Sequence, residues 1–219
     1  MTPSPNSSGV TVEVRPARFR AELREFQRWH RLCGVPHARR AARNLLHAHD
    51  NKVLGTGLSR DYGPQARDDL AAVGGVSTVL AARTMALVAL AEGRVVGGLA
   101  AGPSIHLVSQ LAVLSQAAVV QAALTTIKIH ALAVLPAYRG RGLGRALLTE
   151  AFTLAAQADA RIVYGQFPTY AAGVAAFYRR CGMNLCAPGL PVDLRTWADL
   201  PAVVAPLPEE TLFHRAVTR

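Results

Sequence analysis

The chain has 219 residues, 51% of them apolar, which is enough to bury a full core and suits one domain better than two. Its formal charge of +10 is almost wholly arginine, because Lys52 and Lys128 are the only lysines; such a surface fits phosphate groups, nucleic acid or acidic protein, and net charge alone chooses none of them. Cys33, Cys181 and Cys186 are odd in number and form no C-x-x-C pair, which argues against a disulfide framework or a zinc site and places the chain in a reducing cytoplasm.

The opening residues lack the basic start and apolar run of a secretory signal, so 1–9 reads as a polar, disordered tail ahead of a single domain over 10–219. Thr11 to Arg15 alternates β-branched with polar residues before Pro16, the pattern of a short strand. Leu23, Phe26 and His30 recur at helical spacing up to Gly34, and His37 to Asp50 makes a second, arginine-studded helix with Leu45 and Leu46 on its apolar side. Glycines break up residues 51–82, leaving one short helix between Gln65 and Val73. Met85 to Ala91 and Val95 to Ala101 are apolar runs around Glu92, Gly93 and Arg94, which reads as a hairpin.

The segment from Ile105 to Ile127 has no formal charge and is long enough to span a bilayer. Ser109, Gln110, Ser115, Gln116 and Gln121 would each need a partner in hydrocarbon, so the segment reads as a buried helix and no membrane association is expected. Its stripe of Leu107, Leu111, Leu114 and Ala118 suits a pocket roof, a core face or a homodimer contact. Ile127 to Val134 then reads as a strand, Gly142 to Asp159 as a helix, Arg161 to Phe167 as a strand, Ala171 to Arg180 as a helix, and Thr211 to Val217 as a last strand. Strands alternating with helices predict parallel pairing and an α/β arrangement.

The stretch IHALAVLPAYRGRGLGRALLTE, Ile129 to Glu150, carries the chemistry. Gly140, Gly142 and Gly144 remove side-chain bulk, so backbone amides can approach a ligand. The helix that follows offers unpaired donors and a positive dipole end. That is an anion site, and Arg139, Arg141 and Arg145 suit it to two phosphates. A Walker loop lacks its lysine here, and Leu147 stands where a dinucleotide fingerprint needs its third glycine.

Arg139, Gly142 and Gly144 match the Q/R-x-x-G-x-G/A signature of the GNAT superfamily of N-acetyltransferases, which the segment LAVLPAYRGRGLG resembles as a whole. AAFYRRCGM resembles a second family segment, and VRPAR at Val14 is similar to the family's opening. The resemblance implies an α/β (α+β) GNAT fold, with a mixed central sheet of six to seven strands splayed at the middle and flanked by helices. It further implies acetyl-CoA as cosubstrate and no metal. Leu132, Ala133 and Val134 would bind the pantetheine arm and supply an oxyanion donor. The amides from Arg139 through Gly140, Arg141, Gly142 and Leu143 to Gly144, with Arg145 beside them, would hold the pyrophosphate. Tyr178 stands where many members have the tyrosine that protonates the departing thiolate. Ala171 stands where they often have an asparagine.

Attack on a thioester needs a neutral amine, and deprotonating an alkylamine of pKa near 10.4 costs roughly 4 kcal/mol at cellular pH. A general base, or a water chain leading to one, is therefore expected. His130 is the candidate, since an unperturbed imidazole titrates near 6.5. IHALAV is also similar to the matching strand of aralkylamine N-acetyltransferases, where a histidine here removes the proton. His47 and His49, two apart on a helix, diverge and have no third ligand. Cys181 is read as a packing residue.

The expected acceptor is a small-molecule primary amine. The scarcity of acidic residues favours a hydrophobic or aromatic one. A protein N-terminus or lysine, and a catalytically silent acyl-CoA-binding role, are the alternatives. The RRCG and HARRAAR clusters raise nucleic acid as a partner, but arginine spread over the whole chain and the lack of a reading motif argue against a specific one.

Overall fold

β-Branched and apolar runs become strands where turn residues bound them, and the result is a seven-stranded sheet in the order β1-β2-β3-β4-β5-β9-β6. The computed structural model describes residues 12–218; the tail over 1–9 and Thr11 lie outside them. The strands are β1 (Val12–Pro16), β2 (Met85–Ala91), β3 (Arg94–Gly102), β4 (Thr126–Val134), β5 (Ile162–Pro168), β6 (Asn184–Leu185) and β9 (Glu210–Ala216), with β7 (Val192–Asp193) and β8 (Val203–Val204) forming a separate ribbon. The sheet is mixed, as the resemblance implies: the parallel pairing expected of strands alternating with helices occurs, among the described residues, between β4 and β5 alone, and the other pairs are antiparallel. The hairpin at Glu92 and Gly93, both at positive φ, returns β3 beside β2 at once, whereas parallel strands need a crossover.

That crossover is α7 (Leu143–Gln157). It packs with α8 (Val174–Arg180) on one face of the sheet, over a core that includes Leu87, Leu99, Ile127, Ile129, Leu147, Val163 and Phe213. On the other face α1 (Arg20–Leu32) and α2 (Ala38–Asp50) cover β2 to β4 through Leu23, Phe26, Trp29 and Leu45. Glu22 joins this layer to the edge strand: its carboxylate accepts Arg15 Nη2 at 2.7 Å and Nη1 at 3.1 Å, and also the Arg18 and Phe19 amides.

The uncharged segment is two helices, not one: α5 (Ile105–Ala112) and α6 (Gln116–Thr125), each opened by a serine cap, Ser104 to the Leu107 amide and Ser115 to the Ala118 amide. The break at 113–115 splits the predicted stripe. Leu107 and Leu111 are buried against Leu194 and Leu200 near α9 (Arg195–Ala198), while Leu114 is exposed. Among the described residues no helix is long and apolar enough to cross a membrane. The glycine-rich stretch holds α3 (Tyr62–Ala71) and also α4 (Gly75–Ala82), which sequence reading missed. Arg83 at the end of α4 is fully buried and donates to the carbonyls of Gly57, Ala123, Leu124 and Ala158, tying four segments together. Such a guanidinium satisfies C-terminal helix carbonyls that have no other donor.

Candidate active site

The parallel ladder between β4 and β5 runs only from Thr126/Ile162 to Ile129/Gly165. Past that rung β4 continues beside β3 and β5 continues beside β9, so the sheet opens into a V between His130–Val134 and Gln166–Pro168. A bulge shapes the β4 side. Ala100 pairs with Ala131 and Ala101 with Ile129, leaving His130 as the extra residue. Alternation shifts by one across it: Ile127 and Ile129, then Leu132 and Val134, point into the α7 core, which puts Lys128 and His130 on the opposite, α1 face.

Leu135 N–H donates to the Val96 carbonyl at 2.9 Å, so in the alternating antiparallel ladder Ala133 and Ala131 bond to β3. The N–H and C=O of Leu132 and Val134 therefore face the opening. Their carbonyls have partners there: Cys33 Sγ donates to Leu132 O at 3.3 Å, and Arg139 Nε to Val134 O at 3.1 Å. Of the predicted triplet, Ala133 turns its backbone away from the cleft.

The loop ends at the N-terminus of α7. Gly140 and Gly142 have φ of +77° and +80°, and a Cβ on either would meet nothing within 4 Å, so backbone conformation requires these glycines. Gly144 serves packing, since a Cβ there would lie 3.2 Å from the Phe177 ring. Gly142 caps α7 with no side-chain bond, and Ala146 is the first amide to bond back into the helix, to Gly142 O. The Leu143, Gly144 and Arg145 amides thus precede the helical ladder. The three arginines do not ring the loop evenly. Arg139 folds back on β4, Arg141 stacks over Tyr138 at 5.3 Å, and Arg145 Nη2 donates to Arg180 O at 2.9 Å.

Tyr178 lies in α8 on the α7 side of the V, 7% exposed. Its ring stacks on Phe213 at 3.8 Å and near Phe167 at 5.8 Å, with Phe177 edge-on at 5.1 Å. Gly165 makes room for this stack, because a Cβ there would sit 2.4 Å from Phe213 Cζ. Burial, and then the nearby Cys33 and Cys181 thiols, push the Tyr178 hydroxyl above its ordinary range.

His130 lies across the V. Burial lowers its pKa to about 4, with Lys128 and His30 adding to the effect and the Pro103 and Gly102 carbonyls opposing it. That is well below the 6.5 expected of a free imidazole. His30, buried in α1, donates from Nδ1 to the Phe26 carbonyl at 2.6 Å.

Sequence reading missed a three-residue bridge on this face. Lys128 Nζ donates to Gln166 Oε1 at 3.1 Å, and Gln166 Nε2 donates to Glu210 Oε2 at 2.7 Å, which also accepts the Leu207 amide at 3.0 Å. The bridge spans β4, β5 and β9 where the main-chain ladder stops. Only a lysine on an apolar strand signalled it. Cys33 was equally silent, because its contact is with a residue 99 positions away.

Residues 77–183 match the family model described as the acetyltransferase (GNAT) family. No curated protein matches the chain in sequence. Among solved structures, a GNAT-family protein from Desulfovibrio desulfuricans superposes with a TM-score of 0.54 at 16% identity, covering 95% of this chain and all of its own. Ribosomal-protein-alanine N-acetyltransferase from Brucella melitensis gives 0.54 at 14%, covering 93% and 99%. The yncA structure from Salmonella typhimurium, solved with its cofactor acetyl-CoA, gives 0.52 at 15%, covering 95% of each. Identities this low speak for a shared fold.

Proposed function

We propose that this chain, whose residues 77–183 match the acetyltransferase (GNAT) family model, transfers the acetyl group of acetyl-CoA to a primary amine of a small molecule, by direct attack in a ternary complex. The observation that carries this reading is the juxtaposition of a stretch of β4 that has no strand partner on its β5 side with a helix N-terminus that has no side-chain cap, at the mouth of the same V. These residues fit acetyl-CoA. Amides of Leu143, Gly144 and Arg145, opened by Gly140 and Gly142, suit a diphosphate, with the unused nitrogens of Arg139, Arg141 and Arg145 beside them. The outward N–H groups of Leu132 and Val134 suit the amide-bearing arm.

Acetyl-CoA supplies an activated thioester, whose carbonyl oxygen gains charge and whose sulfur leaves. The Leu132 and Val134 amides are the donors available to that oxygen. His130 and Tyr178 take opposite sides of the opening, so one proton can be removed where the amine arrives and another delivered where the sulfur departs. Burial keeps His130 neutral at working pH and makes it a weak base. With a pKa near 4 it does not retain the proton, which passes on to water. Tyr178 stays protonated across the same range. Its three cysteines are free thiols, in keeping with a cytoplasmic setting.

A thiol-release screen of primary amines with acetyl-CoA tests class and substrate together. Turnover of a small amine is the expected result. Acetyl-CoA binding without thiol release across the panel would instead make the chain an acyl-CoA-binding protein.

A further inference from the structure

Resting on the reading above, we infer that the acceptor carries an anionic group, in the first instance a carboxylate, beside its amine, and that Lys128 is the residue that anchors it. Lys128 stands two residues before His130 on the same face of β4, about 7 Å along a strand, or less across a bulge. An acceptor whose amine meets His130 therefore brings its neighbouring atoms over the Lys128 ammonium. That ammonium has three donors. One goes to Gln166, and no other hydrogen-bond partner for it occurs among the described residues.

Glu210 does not quench this cation by direct contact. The Gln166 side chain separates the two, with its oxygen on the lysine and its nitrogen on the carboxylate, and one carboxylate oxygen already takes both the Gln166 amide and the Leu207 amide. The bridge therefore holds Lys128 at the apex of the V, pointing across the gap, with donors to spare. His130 registers the nearby cation as a downward shift of its own titration.

The approach is positive as well. The corner between α1 and α2 carries Cys33, which touches Leu132, and it is flanked by exposed Arg31, Arg39 and Arg40. A bare ammonium is repelled by this face, whereas an amine with a carboxylate is drawn to it and oriented.

The test uses α-, β- and γ-amino acids, each paired with its methyl ester, in the thiol-release assay. For at least one spacing the free acid is expected to show a KM ten-fold or more below its ester. Lys128→Met should abolish that preference by raising the KM of the acid, with the KM for acetyl-CoA unmoved, and Lys128→Arg should restore part of it. Equal or better use of the esters by the unaltered protein, or a preference that survives Lys128→Met, overturns the proposal. Calorimetry with the corresponding N-acetyl acids in the presence of CoA reads the anchor without turnover. Binding that depends on Lys128 supports it, even if no amine is acetylated and the transferase reading has failed. No binding of any acid by the unaltered protein refutes it.

Discussion

Substituting Gly142 by glutamate separates the glycine loop's role in folding from its proposed role in binding a diphosphate. The residue sits at φ +80° with open space around a hypothetical Cβ, so the folded chain meets no clash. The cost to stability is that of holding an L-residue in the left-handed region, about 1–2 kcal/mol, or roughly 3–6 °C in Tm for a chain of this size. The cost to binding is larger. A carboxylate roughly 5 Å from a diphosphate, in an exposed loop with an effective dielectric near 40, is repelled by about 1.7 kcal/mol per unit charge. Two charges give about 3 kcal/mol, or about two orders of magnitude in Kd. Gly142→Ala should reproduce the stability loss with only a small part of the binding loss. Calorimetry with acetyl-CoA and thermal unfolding measure the two quantities independently. Unchanged affinity in the glutamate variant would remove the diphosphate from this loop.

Tyr178→Phe keeps the stack on Phe213 and should lower kcat by about 10²-fold or more with little change in acetyl-CoA affinity; an unaltered kcat where chemistry limits would leave Tyr178 a packing residue. For His130→Ala, the acidic limb of the pH-rate profile, placed near pH 4 in the unaltered protein, should disappear, and a limb that persists would put proton removal elsewhere. The same residue bears on stability. Its folded pKa lies below its unfolded 6.5, so the unfolded chain binds the proton first, and stability should fall as pH drops from about 6.5 to 4, by roughly 3 kcal/mol for this group alone. Denaturant melts of the unaltered protein and His130→Gln at pH 7 and 4.5 would show a smaller loss in the variant. Gly165→Ala should cost about 1–3 kcal/mol, because its Cβ overlaps the Phe213 ring, and a chemical-denaturation midpoint within error of the unaltered protein would contradict that packing.

Some of this protein could be read along the chain because the signals are local. The hairpin of β2 and β3, the strand of β4 and the glycine–arginine loop opening α7 each follow from residues within a few positions of one another, and Met85–Ala91 was read to its ends. The geometry of the loop was legible for the same reason: positive-φ glycines before a helix leave its first amides open, which is the arrangement behind the proposed anion site. Local pattern misled where a boundary depended on a cap, as at Ser115, which turned one expected helix into two. It also failed at α4, whose length and glycine-flanked start offered no strong period.

What only the tertiary structure decided is where the sheet opens and what faces the opening. The ladder stops at Ile129 and Gly165 because β3 and β9 draw the two strands apart, and neither strand's sequence marks that rung. The bulge that turns His130 onto the face of Lys128, the Cys33 thiol on Leu132, and the bridge from Lys128 through Gln166 to Glu210 join residues from 28 to 99 positions apart. Burial then lowered the titration of His130 by a margin no sequence spacing encodes, since desolvation depends on everything packed around a group and not on its neighbours in the chain.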